Sequence, residues 1–347
     1  MAFGAASFLA NASRGLPEVT PGARCELSRA LLQKSAAVNA SLTPHARQAD
    51  MIASCALRAV LHEAAATEKP GLVCADTAGV HTDMDIQTMI ASAVSLYPYF
   101  RDVADIGRDT AGLEARAVFP LLRGEGREAE RAMFAVTCGV NTHKGLIFSM
   151  GLFCAAAGRL LAADEKLSAA SLCGTASSFV EGIVARDFCR LRELAGKGEA
   201  ECVERAEQAL GRALTAGEWI YLRFGVTGVR GEAERGFPLL PQAVAALRGW
   251  LEEGDYNAAL VNTLLFLMKN NADTNLLWRG GPEGLALVQK GADRVLEHRG
   301  MLTKKGREGL ALLRELCLSR RLSPGGSADM LSLALFIHMV EREGAVP

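Results

Sequence analysis

Four polar residues in a row, Asn141, Thr142, His143 and Lys144, stand directly in front of an apolar run that continues to Gly158. Asn and Thr are favoured N-caps, so the pattern predicts a buried helix from Leu146 onward with the tetrad at its first turn. A helix N-terminus presents unpaired N–H groups and a partial positive charge, which suits phosphate. Lys144 adds a full charge there, and Gly145 lets a ligand approach the backbone. Read alone, the tetrad fits an ordinary capped core helix with a solvated His-Lys pair at least as well.

Three further clusters have the residue types for chemistry. Between Lys69 and Asp85, Asp76, His81, Asp83 and Asp85 crowd around Gly71 and Gly79. Asp83 and Asp85 suit oxygen ligation of a hard divalent cation. With Thr82 as a cap, Asp83 is equally a first-turn carboxylate. Gly225 to Pro238 places Arg230, Glu232, Glu234 and Arg235 among four glycines. Such a loop can wrap phosphates through backbone N–H groups while arginine grips them in pairs of hydrogen bonds. A surface loop whose charges pair with one another is the alternative. No GxxxxGK[ST] pattern occurs, so a P-loop NTPase is not supported. Asn270, Asn271, Asp273, Thr274 and Asn275, followed by Arg279, offer oxygen ligands and an anion-binding arginine. Turn-forming asparagines at a helix end explain them as well. Ser327 caps a last apolar helix with Asp329 in its first turn, again a cap by position.

The elements that must position these clusters read as helices. Of 347 residues half are hydrophobic and only 6% aromatic, and alternating β-branched stretches are almost absent. That composition predicts an all-α protein: one multi-helix domain over 23–347, with polar loops at helix ends gathered into one nucleotide pocket, behind an N-terminal arm over 1–22. Expected helices cover Ala23–Ala40, a run opened by Thr43-Pro44 and closed by Lys69-Pro70-Gly71, and Ile86–Tyr97 before Pro98. Residues 112–122 carry no clear pattern. Gly126–Thr137 reads as an amphipathic helix with Glu128 and Glu130 on its solvated face. Further helices span Ser168–Leu194, a capping box at Thr215 and Glu218 opening Trp219–Phe224, Ala258–Met268, Pro282–Arg299 and Lys304–Leu318. Charges of 38 basic and 39 acidic residues give no support to a nucleic-acid surface. Nine cysteines without a CxxC pair point to a reducing, cytoplasmic home. The apolar run interrupted at Arg159 is too short for a membrane span.

The blocks KPGLV…GVHTDMD, GREAERAM…TCGVNTHKGLIFSMGL, GVRGEAERGFP, NNADTNLLWRGG and SPGGSADML, in this order, resemble the triphosphoribosyl-dephospho-CoA synthase family from about Ala30 to Met339. Two departures stand out. Cys74 occupies the place of a usual Asp after GLV, with Asp76 as a possible substitute, and Glu68-Lys69-Pro70 replaces Pro-Lys-Pro.

The resemblance implies that ATP and 3′-dephospho-CoA combine with loss of adenine, giving 2′-(5″-triphosphoribosyl)-3′-dephospho-CoA. The product is the prosthetic-group precursor for the acyl carrier protein of citrate lyase, or of malonate decarboxylase. Breaking the N-glycosidic bond creates a cationic, oxocarbenium-like centre. The site then needs a carboxylate near that centre, a base for the attacking 2′-hydroxyl, and Mg2+ with basic residues for the triphosphate. On this expectation Asp83 and Asp85 hold Mg2+, with Glu130 or Asp273 as further ligands. Lys144, Arg230 and the N–H groups after Asn141 grip phosphates, as Lys69 and Arg279 could. Thr142, Gly145 and Asn275 complete the nucleotide-binding set. Glu232 faces the ribose, and His81 or His143 either shuttles a proton or only hydrogen-bonds. No stable protein complex is implied. Two other readings use the same clusters: a Mg2+-dependent hydrolase of nucleotide or ADP-ribosyl bonds, and a catalytically silent nucleotide-binding protein.

Overall fold

The computed structural model describes residues 44–196 and 201–344, and every regular element among them is helical. The expected arm over 1–22 and the helix Ala23–Ala40 lie outside the described residues. The chain divides into two units, Met1–Gln48 and Ala49–Pro347, and the second contains the hydrophobic core.

Three helices are enclosed on most of their surface: α5 (Lys144–Ala162), α12 (Tyr256–Asn270) and α15 (Gly325–Glu343). Each is apolar nearly all round, which is the pattern of a helix with neighbours on every side. Around α5 pack α3 (Tyr97–Asp109), α4 (Ala115–Val136), α6 (Ala169–Phe179), α10 (Gly228–Glu234) and α15. Around α12 pack α11 (Leu240–Leu251), α13 (Thr274–Glu297), the 3-10 turn Gly300–Leu302 and again α15. By length and composition α5 would pass for a membrane span, yet most of its residues are buried against these neighbours. Its interruption by Arg159 is harmless because the guanidinium turns back to the carbonyls of Thr110 and Leu113.

The first helix among the described residues, α1 (Pro44–Ala65), opens on its proline as expected. Several expected boundaries shift, each for a local reason. Pro98 does not merely end a helix: α2 (Ile86–Ser95) stops at Leu96, and Pro98 sits in the first turn of α3, where its missing N–H costs nothing. α4 starts eleven residues before Gly126 and carries Pro120 inside it. The expected single helix Ser168–Leu194 is two, α6 and α7 (Ile183–Ala195), parted by Gly182 at φ 76°. The glycine-rich stretch after Gly225 folds into α10 rather than an open loop. α13 is broken in direction by a kink at Gly281, φ 62°, just before Pro282. As expected, the Thr215 hydroxyl accepts from Glu218 N and Glu218 reaches back, opening α9 (Ala216–Phe224) after α8 (Cys202–Leu210). α14 (Lys304–Arg320) completes the set.

Candidate active site

Five helix junctions meet around one cavity of about 650 Å³. The α1–α2 segment, the α4–α5 turn, the α9–α10 turn, the α12–α13 turn and the start of α15 each contribute to its wall. Of the residues expected at the site, Lys69, His81 and Asp83 line it from the first junction. Asn141, Thr142, His143, Lys144 and Gly145 line it from the second, Glu232 from α10, and Asn275 and Arg279 from α13.

Four expected residues do not line it. Asp85, not Thr82, is the cap of α2: its Oδ1 accepts from Thr88 N at 2.9 Å, so its exposed carboxylate serves the helix end. Glu130 pairs instead with Lys144 Nζ at 3.1 Å. Arg230 turns the other way, bonding Asp187 at 3.0 Å and lying over the Phe188 ring. Asp273 is buried behind the wall with both oxygens taken. Oδ1 accepts from Asn275 N and Leu276 N, and Oδ2 from Ser327 N and Ser327 Oγ at 2.7 and 2.9 Å. It staples the start of α13 to the start of α15 and has no lone pair left for a cation. Among the described residues no three His, Cys, Asp or Glu side chains converge as a ready-made metal site, so that quartet does not form.

Lys69 reaches the cavity but is already committed. Its Nζ bonds Glu63 Oε1 at 2.7 Å and the Glu63 carbonyl at 2.5 Å, in a pair whose side chains are 1% and 5% exposed. Breaking such a pair leaves a lone buried charge and costs about 3–5 kcal/mol. Its role is therefore to neutralise Glu63, a residue that nothing in the surrounding HEAA marks as special. Cys74 sits behind this pair, its thiol directed at the Lys69 and Leu72 carbonyls and pushed up by burial. Asp76 is exposed and away from the cavity, so it supplies no replacement carboxylate.

The two histidines differ. His81 Nε2 lies 3.0 Å from Ser323 Oγ and its Nδ1 lies 3.7 Å from Asp83, so both ring nitrogens have company. Burial, and then Arg279, depress its pKa. His143 heads α5 without a side-chain cap bond. Its Nδ1 lies 2.7 Å from Ser92 Oγ, which in turn lies 2.6 Å from Thr142 Oγ1. Its buried Nε2 has no hydrogen-bond partner among the described residues. Burial and then Lys69 lower the imidazole to about 4, so it is neutral at physiological pH. A buried orphan nitrogen costs free energy unless a ligand or water satisfies it.

Asp329 also lines the cavity. Sequence position makes it a cap, yet no hydrogen bond to its carboxylate forms among the described residues, and it lies against Gly145. A Cβ on Gly145 would stand 2.6 Å from Oδ2, so that glycine makes room for a carboxylate of this chain as well as for any ligand. Burial, then Glu63 and Asp273, push the Asp329 carboxyl well above the usual range. Glu232 pairs with Arg235, the arginine of that glycine-rich stretch that lines the wall, where Arg230 was expected to grip phosphates. Once these pairs are made, Arg279 is left as a half-buried guanidinium without a close ion-pair partner among the described residues. Asp83, the partner of His81, is the carboxylate whose charge acts on it, and Asp329 faces the cavity.

Residues 49–346 match the family model described as CitG: ATP:dephospho-CoA triphosphoribosyl transferase. The 2-(5″-triphosphoribosyl)-3′-dephosphocoenzyme-A synthase of Klebsiella pneumoniae is 40% identical over 291 residues, covering 83% of this chain and 90% of that one. Proteins given the same synthase name in Albidiferax ferrireducens and Vibrio cholerae are 38% and 39% identical, covering 83% of this chain and 90% and 87% of theirs.

Proposed function

This chain belongs to the ATP:dephospho-CoA triphosphoribosyl transferase family, and from that premise we propose that the cavity at its helix junctions is where the transfer occurs. The enzyme makes 2-(5″-triphosphoribosyl)-3′-dephospho-CoA from ATP and dephospho-CoA. The observation that carries the site assignment is the set of groups left unpaired around one cavity, Arg279, Asp329 and His143 Nε2, with the His81–Asp83 pair beside them.

In the reaction the acceptor 2′-hydroxyl bonds to C1 of the ATP ribose while the C1–N9 bond breaks, its electron pair leaving with adenine. One proton must leave the hydroxyl and one must reach adenine. With its proton on Nδ1, donated to Ser92 Oγ, His143 presents Nε2 as the acceptor for the hydroxyl proton. Asp329, whose protonated form burial favours, hands its proton to the departing base. Glu232 places negative charge toward the cationic ribose. Arg279 and Lys144, with the N–H groups at the start of α5, hold the triphosphate, and Thr142 and Asn275 flank it.

Mg2+ fits this donor set. A triphosphate entering beside Asp83 meets the exposed negative charge of that carboxylate, and one carboxylate plus phosphate oxygens and water is a common Mg2+ environment. Asp83, with its side chain 59% exposed at the cavity, is the residue that would hold it. The ion supplies neutralisation of the triphosphate. A cytosolic setting, where the free thiols stay reduced, belongs to the same proposal. So does the acyl carrier protein of citrate lyase as client of the product, with malonate decarboxylase as the alternative that neighbouring genes decide.

The test mixes purified protein with ATP, Mg2+ and 3′-dephospho-CoA and follows free adenine and the heavier CoA adduct by mass spectrometry. Both should appear together; adenine without adduct would mean hydrolysis instead. Asp83→Ala should lose adenine release while keeping its circular dichroism spectrum. Near-normal turnover by that variant removes the metal assignment.

A further inference from the structure

Transfer brings two nucleotides together, and a cavity of about 650 Å³ has the size that encloses one drug-sized ligand. The acceptor therefore cannot lie wholly inside once ATP is bound. Its ribose must enter, because the 2′-hydroxyl reacts there. Its adenine hangs on the ribose carbon next to the reacting one, so the base comes to rest at the lip, while the diphosphate and pantetheine arm trail outward.

The lip carries a surface made for a purine. Trp278, in the first turns of α13, lines the cavity and is 51% exposed. Among the exposed large apolar side chains of the described residues, it alone lines the cavity. Trp219 of α9 stands perpendicular to it, centroids 5.1 Å apart at 87°. Trp219 is fixed in turn by the Phe224 edge at 5.7 Å and by the Arg223 guanidinium over its ring. Trp278 is thus held at its edge by a braced neighbour while much of its surface stays in water. An indole left half in solvent beside a polar cavity gains by being covered with a flat π-face, and base stacking on tryptophan is strong and tolerant of which base is present.

We propose that Trp278, braced by Trp219, is the stacking platform for the adenine of the acceptor, 3′-dephospho-CoA. The proposal rests on the transferase reading above. It gives the acceptor a purine subsite outside the enclosed cavity and leaves the interior to the ATP ribose and triphosphate.

The experiment uses the full-length wild type, Trp278→Ala and Trp278→Phe. Steady-state adenine release gives the KM of each substrate. Intrinsic fluorescence is titrated with 3′-dephospho-CoA and with 4′-phosphopantetheine, which lacks the adenosine. Of the three tryptophans only Trp250 lies outside this cluster, so quenching reports on the platform. In Trp278→Ala the KM for 3′-dephospho-CoA should rise roughly 5- to 100-fold, with the KM for ATP moving less than about twofold. Trp278→Phe should recover most of the loss. Wild-type fluorescence should quench saturably with 3′-dephospho-CoA and not with phosphopantetheine. A rise confined to the KM for ATP, an unchanged acceptor KM, or equal quenching by phosphopantetheine overturns the proposal. If wild type releases no adenine, the transferase reading fails. The titration still decides the platform, through saturable quenching by 3′-dephospho-CoA that is present in wild type and lost in Trp278→Ala.

Discussion

Asp273 is the cap just before α13 and Asp329 sits one turn into α15, and they end in opposite states. Four donors from two helices satisfy Asp273, whereas Asp329 faces the cavity against Gly145 with none. A carboxyl whose folded pKa is raised binds its proton more tightly folded than unfolded. Stability is then lost as pH climbs from the unfolded value, ~3.9, through the raised folded one. Asparagine keeps the shape and removes the titration. Asp329→Asn should therefore melt higher than wild type in mildly alkaline buffer, by roughly 2–4 °C. The same variant should lose adenine release by about 10²- to 10⁴-fold. Calorimetry and the adenine assay on one preparation check both; normal turnover or a lower Tm would remove Asp329 from the chemistry. Residue type and spacing marked Asp273 as a possible metal ligand and Asp329 as a cap. The difference between them is which partner helix arrives opposite each, and a single chain read along its length does not contain that. The same holds for Arg230 and Arg235, close together around one short helix, of which only the second lines the cavity.

At the level of elements, the tetrad Asn141–Lys144 was legible because an apolar helix must follow a polar start, and α5 does. How closely α5 is gripped was not legible, since glycine in a helix reads only as a weak former. A Cβ on Gly158 would stand 2.0 Å from the Ala104 carbonyl oxygen, and one on Gly107 2.0 Å from that of Ala155. These two glycines let α3 and α5 cross with backbones almost touching. Next to them Gly151 admits the Tyr99 ring, whose hydroxyl donates to the Ile147 carbonyl at 2.9 Å. Backbone obstructs the added methyl group, so relief requires the helices to part. Gly158→Ala should cost roughly 1–3 kcal/mol in urea denaturation. Gly174, mid-helix in α6 with nothing within 4 Å of an added Cβ, is the internal control. Gly174→Ala should gain ~0.5–1 kcal/mol by restricting the unfolded chain and favouring helix. Similar effects at both sites would mean that the α3–α5 crossing is looser than these distances require. Boundaries such as Gly182 and Pro98 were harder to read because each residue has two helical uses, ending one helix or starting the next.

Across residues 49–196 and 201–344 the burial is uneven, and the unevenness falls along the cavity wall. One large apolar core holds α5, α12 and α15. A small separate one, Phe188, Leu191, Ala195, Cys202 and Ala206, holds α7 and α8 and packs Tyr221 and Leu222 of α9 against them. Tyr221 stacks on Phe188 at 4.3 Å, and the Arg230 guanidinium lies 5.4 Å from the same Phe188 ring, so α9 and α10 are tied to this small core. Glu234 adds a second tie by accepting from Gly182 N at 2.7 Å and Val184 N at 3.3 Å at the head of α7. The wall expected to move at a two-substrate site is thus the one that carries residues 225–227 between α9 and α10, because few buried side chains must separate for it to open. Hydrogen exchange read by mass spectrometry should show amides of 183–195 and 202–224 opening at lower free energy than those of α5, α12 and α15. ATP with 3′-dephospho-CoA should raise protection in the first group far more than in the second, because ligand binding to one wall of the cavity stabilises the part that opens. Protection that rises uniformly, or only in α5 and α15, would mean that both substrates bind against the large core and that the α7–α10 segment is scaffold without a share in binding.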